Sequence, residues 1–168
     1  MGRGAQQSKS GKRADLNDRF FRSSWEANYA RYLNWMIEQG KYKSWEYEPK
    51  TFVFNGVTRG QLTYTPDFRV TNVDNTYDWH EVKGWMDAKS KAKLKRMAKF
   101  YPDEHIIVIG AVEYKALSKW SAMIPNWESG SQKVAKAIAL PGEIDDEAID
   151  EFWNDIDPTQ PRRTGIGD

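Results

Sequence analysis

In "YTPDFRVTNVDNTYDWHEVKGW", residues 64–85, three charged side chains stand where strand residues normally pack: Asp67 after Pro66, then Glu81 and Lys83 around Val82. Alternate residues of a strand share a face, so Glu81 and Lys83 point together and Val82 points away. If the segments holding Asp67 and Glu81 are neighbouring strands, their carboxylates approach each other. Two carboxylates held close repel unless a cation sits between them. An all-oxygen set, which the Val82 carbonyl can join, favours a hard cation, Mg²⁺ or Mn²⁺. A lysine beside such an ion orients a water and stabilises charge developing on a phosphate. The chemistry this suits is in-line attack on a phosphodiester. Acyl transfer is less well served, because no convincing nucleophile–base pair is visible. A surface Glu81–Lys83 ion pair beside an unrelated turn aspartate is the plain alternative.

The elements needed to place these groups are readable from periodicity. From Asp18 to about Gln39, Phe21, Trp25, Tyr29, Tyr32, Leu33, Met36 and Ile37 recur at helical spacing, and Gly40 ends the run. Two segments rich in Tyr, Phe, Val and Thr flank Asn55-Gly56, which predicts a hairpin with strands near 44–54 and 61–71. "TNVDNT" is a second turn and "YDWHEVKGW" a third strand. "DAKSKAKLKRMAKFYP" is helix-forming, "EHIIVIG" reads as a buried strand, and "EYKALSKWSAMI" as a last helix. The order is α-β-β-β-α-β-α, an α/β fold with a mixed sheet of about four strands flanked by helices.

Charge is unevenly distributed. Net charge is +1, yet residues 1–13 hold Arg3, Lys9, Lys12 and Arg13 with no acid, and residues 143–157 hold eight acids with no base. The expected organisation is a disordered basic arm (1–17), a folded domain (18–142) and an acidic tail (143–168). The tail places Ile144, Ala148, Phe152 and Ile156 four apart, as in an amphipathic helix that docks on a protein partner or covers the chain's own basic groove. No cysteine is available for disulfides or a thiolate zinc site. No apolar run reaches the roughly 20 residues of a membrane helix, and no signal-peptide core is seen, so a cytoplasmic location is expected.

Pro66-Asp67 followed by Glu81-Val82-Lys83, in this element order, resembles the PD-(D/E)XK nuclease superfamily with its restriction-endonuclease-like core. "YEPKTFVF", "YTPDF" and "HEVKGWM" resemble phage members related to endonuclease I-type Holliday-junction resolvases. The likeness spans about residues 20–125. It implies a Mg²⁺-dependent DNA endonuclease selective for branched DNA, with nicking, flap or single-strand cleavage as alternatives and a host-cytoplasm location if phage-encoded. It implies Asp67 and Glu81 as metal ligands, Lys83 positioning the attacking water, and Glu26 on the first helix completing the site. Junction resolution needs two symmetric cuts, which a homodimer provides. The rival of a different class is a nucleic-acid-binding module without catalysis.

Around this site, Lys89, Lys93 and Arg96 fall along one side of the second helix and are expected to contact phosphates, with a solvated face as the alternative. Arg19 and Arg22 precede Glu26 and are candidates for a second phosphate. His80 faces away from Glu81 and is expected in the core, and His105 is assigned no chemistry. Trp79 and Trp85 bracket the motif; core packing is expected for both, with base stacking as the other possibility.

Overall fold

Apolar side chains on both faces of two adjacent segments, 68–72 and 77–82, set the centre of the molecule. The structure, a computed structural model, describes residues 9–129. Along the chain, Gly11–Arg13 (β1) and Arg19–Phe21 (β2) form an antiparallel ribbon ahead of helix Ser24–Glu38 (α1). Strands Tyr42–Tyr47 (β3), Phe52–Val53 (β4), Thr63–Tyr64 (β5), Phe68–Asn72 (β6) and Tyr77–Val82 (β7) follow. Helix Ala88–Phe100 (α2), strand Ile106–Ile109 (β8) and helix Ala111–Leu117 (α3) complete the order. The fold is α/β. Its main sheet is mixed, with strand order β3-β6-β7-β8. The first three strands are antiparallel, and α2 carries the chain over to β8, parallel to β7.

Each face of the sheet has its own cover. Phe68 and Val70 are fully buried, and Phe68 stands in register with His80. α1 lies over them: Tyr29 meets Phe68 edge-on at 5.4 Å, and its hydroxyl lies 2.6 Å from His80 Nδ1. Burial lowers the His80 pKa to about 4, so the ring is neutral. On the opposite face Trp79 is buried among Phe52, Phe54, Tyr64 and Met97, from the β4–β5 ribbon and α2. Each fully buried side chain of this size contributes about 1.5–3 kcal/mol. No helix among the described residues is long and apolar enough to cross a membrane.

Several expectations differ from the structure; among them, Trp85 is exposed rather than in the core, and the last helix ends at Leu117 rather than running through residue 124. The first helix begins at Ser24, not near Asp18, because Asn17 and Asp18 take positive φ (59° and 54°) and turn the chain back. The resulting ribbon draws residues 11–17 of the expected arm into the fold. Arg13 is 9 % exposed and pairs with Glu128, while Arg31 holds Asp15 through two hydrogen bonds of 2.7 and 2.9 Å. The strands expected at 44–54 and 61–71 are each divided. Pro49 and Pro66, which have no N–H to give a ladder, lie in the gaps. Asn55-Gly56 turns the chain as expected, but Phe52↔Tyr64 and Val53↔Thr63 pair across a longer loop, where Phe54 N–H donates to the Leu62 carbonyl at 2.9 Å. The boundary at 142 and the acidic tail lie outside the described residues.

Candidate functional site

Asp67 occupies the junction where the β6–β7 ladder stops. The last paired residues are Phe68↔His80; continued one step, that register sets Asp67 against Glu81. The Val82 N–H needs an acceptor on the β6 side, and the Asp67 carboxylate supplies it, Oδ2 accepting at 2.8 Å. The Asp67 carbonyl accepts the Glu48 N–H at 2.8 Å, so the residue is held from both neighbouring strands. Asp67 is 7 % exposed. Glu81 shares its face with Trp79, and Tyr64 donates a hydrogen bond to its Oε2 at 2.9 Å. Lys83 extends β7 by one step, its N–H donating to the Ile109 carbonyl at 3.0 Å. The three residues therefore gather at the C-terminal end of the parallel β7–β8 pair, the edge where open α/β sheets commonly bind ligands.

Burial and mutual repulsion define the electrostatics. Burial pushes the Asp67 carboxyl well above the usual carboxylate range, and the negative charges of Glu81 and Glu26 push it further. Burial also raises Glu81, against the pull of the Tyr64 hydroxyl and the positive charges of Lys83, Lys93 and Arg22. The pair thus carries a proton more readily than free carboxylates do, or accepts a cation in its place. All donors are hard oxygens, a set that fits a hard divalent ion.

The family model described as Protein of unknown function (DUF1064) matches residues 7–116. The chain belongs to the DUF1064 family. No curated protein and no solved structure matches the chain significantly. The span that this DUF1064 protein shares with the family model holds Glu26, Asp67, Glu81, Lys83 and every strand of the main sheet.

In the DUF1064 chain Glu26 lies close enough to affect Asp67, but its oxygens are committed elsewhere. Oε2 accepts the Arg22 N–H at 3.1 Å and the Tyr47 hydroxyl at 2.6 Å, and Oε1 accepts the Ser23 hydroxyl at 3.0 Å. Ser23 Oγ in turn accepts the Glu26 N–H at 3.1 Å, capping α1. The Ser-x-x-Glu spacing at 23–26 signalled this role in the sequence. Among the described residues, no group of three or more His, Asp or Glu side chains is arranged to hold a metal ion. Asp67 and Glu81 stand face to face, and the charge of Glu26 acts on Asp67.

The expected phosphate-contacting residues separate into two sets. Lys93 reaches Glu81 electrostatically, and Arg22 reaches both acids while pairing with Glu48. Lys89 is exposed beside Asp87, the N-cap of α2. Arg96 donates instead to the carbonyls of Gln61 and Arg59, the latter at 3.0 Å, and so ties α2 to the β4–β5 loop. Arg19 lies over the Trp45 ring at 5.3 Å. The sequence reading missed Tyr64 and Tyr47, whose hydroxyls orient Glu81 and Glu26; no local pattern marks either.

Proposed function

We propose that this DUF1064 protein is a divalent-metal-dependent DNA endonuclease with a PD-(D/E)XK core, hydrolysing phosphodiester bonds, with branched DNA as its first substrate class. The observation that carries the reading is the Asp67–Glu81 pair, Asp67 buried and Glu81 half-buried, mutually repelling and bordered by Lys83, Lys93 and Arg22. Structural carboxylates do not need such surroundings, and a pure phosphate-binding surface gains nothing from acids facing its ligand. Asp67, Glu81 and the Val82 carbonyl would hold Mg²⁺, with Mn²⁺ as a substitute. When bound, the ion supplies Lewis acidity at the phosphate and eases loss of a proton from water.

The chain's own groups do the positioning. The Val82 N–H fixes the Asp67 carboxylate, and the Tyr64 hydroxyl fixes Glu81. Lys83 orients the attacking water and balances negative charge growing on the phosphate as the P–O bond to the leaving oxygen breaks. Lys93 and Arg22 take neighbouring phosphates. Glu26 stands behind Asp67 as a support for α1 and Tyr47. A homodimer would place two such sites for paired cuts, and the cytoplasm would be the place of action.

The second reading is a binding module without catalysis, favoured because no group of three acids or histidines arranged to hold a metal ion is found among the described residues. Both are tested by incubating plasmid and a four-way junction with Mg²⁺, Mn²⁺, Ca²⁺ or EDTA. The nuclease reading expects cleavage with Mg²⁺ or Mn²⁺, lost in Glu81→Ala and Lys83→Ala proteins that still fold. Wild type that cuts no DNA or RNA with any metal leaves the binding module standing. Cleavage of RNA alone keeps the chemistry and replaces the substrate.

A further inference from the structure

Trp79 and Trp85 flank the acid pair, and their fates are opposite. Trp79 is 2 % exposed within the core; Trp85 is 80 % exposed. A singly exposed apolar side chain is ordinary on a protein surface, so it is the placement of Trp85 that carries the argument. Trp85 lies in the segment joining β7 to α2, two residues beyond Lys83.

Both ends of that segment are pinned, so the exposure is built rather than frayed. At Gly84 the backbone rests on the Trp25 ring, where an added Cβ would meet Cζ3 at 3.3 Å. Trp25 itself stacks on Tyr114, centroids 3.9 Å apart and planes 1° from parallel. At the other end Asp87 caps α2, accepting the Ser90 N–H at 2.7 Å. Between these anchors the indole is held out beside a strongly basic stretch: Lys83, Lys89, Lys91, Lys93, Lys95, Arg96 and Lys99 against Asp87 alone.

Resting on the nuclease reading of the acid pair, we infer that Trp85 is a stacking platform for an unpaired nucleobase flanking the reacting phosphate. Two residues of chain span at most about 7 Å, so the indole stays within reach of the nucleotide next to the one that Lys83 engages. In continuous duplex both faces of a base are covered by its neighbours. A single-stranded, flapped or branch-point base offers a free face. The platform therefore selects nucleotides that are already unstacked, and cations on α2 hold their phosphates. The stacking is insensitive to salt, whereas the phosphate contacts are not.

The test uses the full chain with Trp85→Ala and Trp85→Phe, and a single-stranded oligonucleotide carrying 2-aminopurine, in Ca²⁺ or EDTA. Because the side chain is exposed, both variants should melt with wild type. Expected results are binding and quenching by wild type, a loss of about tenfold in affinity with loss of the quench in Trp85→Ala, and most of both kept in Trp85→Phe. The slope of log affinity against log salt should stay unchanged. Cleavage with Mg²⁺ is scored separately. If wild type cuts DNA while Trp85→Ala binds, quenches and cuts as wild type does, the platform is overturned and the nuclease reading stands. If wild type cuts nothing but the quench still depends on Trp85, the nuclease reading falls and the platform survives. Failure of wild type to bind the oligonucleotide overturns the platform. So does an effect of Trp85→Ala confined to self-association of the protein, which would make the indole a protein contact.

Discussion

Replacing Asp67 by Asn should stabilise the metal-free protein. The Asn Oδ1 can still accept the Val82 N–H that Asp67 Oδ2 holds at 2.8 Å, so the change removes a charge and little else. Residues opposite each other on antiparallel strands have Cβ atoms roughly 5 Å apart. Two charges at about that separation repel by about 3 kcal/mol at an effective dielectric constant near 20. Lys83, Lys93, Arg22 and the Tyr64 hydroxyl offset part of this for Glu81, leaving an expected gain of about 1–2 kcal/mol. For a domain of this size that is a rise in Tm of roughly 3–8 °C. The sign with pH follows from the direction of the shifts. Both carboxyls are raised in the fold, so the stability they lend is fully present below the unfolded pKa and is lost as pH rises through the folded one. The gain from Asp67→Asn should therefore be absent near about pH 4 and largest near about pH 8. Scanning calorimetry in EDTA at several pH values measures it. Adding Mg²⁺ should then raise the Tm of wild type and leave that of Asp67→Asn where it was. If Asp67→Asn melts below wild type at every pH in EDTA, the like-charge account of the site is wrong.

Other perturbations separate structural from functional roles. Glu26→Gln should cost about 1 kcal/mol of stability at the α1 cap and reduce cleavage by less than about tenfold; a loss as complete as that of Glu81→Ala would put Glu26 among the reacting groups. Arg96→Ala should lower stability by about 1–3 kcal/mol by freeing the loop carbonyls it holds, without altering the salt dependence of DNA binding. Lys93→Ala should do the reverse, lowering the salt slope by about one; filter binding over a salt series distinguishes the two. Deleting 143–168 should tighten DNA binding at low salt if the acidic tail competes for the groove, and unchanged affinity removes that idea.

What the sequence determined alone is local. Hydrophobic periodicity placed α1, β7, α2, β8 and α3 in order, because 3.6- and 2-residue repeats are properties of neighbouring residues. The Pro-Asp and Glu-x-Lys spacing marked the pair that the fold sets face to face. Tertiary structure decided the rest, because contacts between distant residues leave no mark in a short window. It folded residues 11–17 onto the domain through Arg13–Glu128 and onto α1 through Arg31–Asp15. It joined Glu26 to the Tyr47 hydroxyl, gave Arg96 to loop carbonyls, and sent Trp79 inward and Trp85 outward. Chemical type made each of these residues eligible for a role at the site. Which of them reaches it is set by burial and by competing hydrogen-bond partners, and those exist only once the chain has closed on itself.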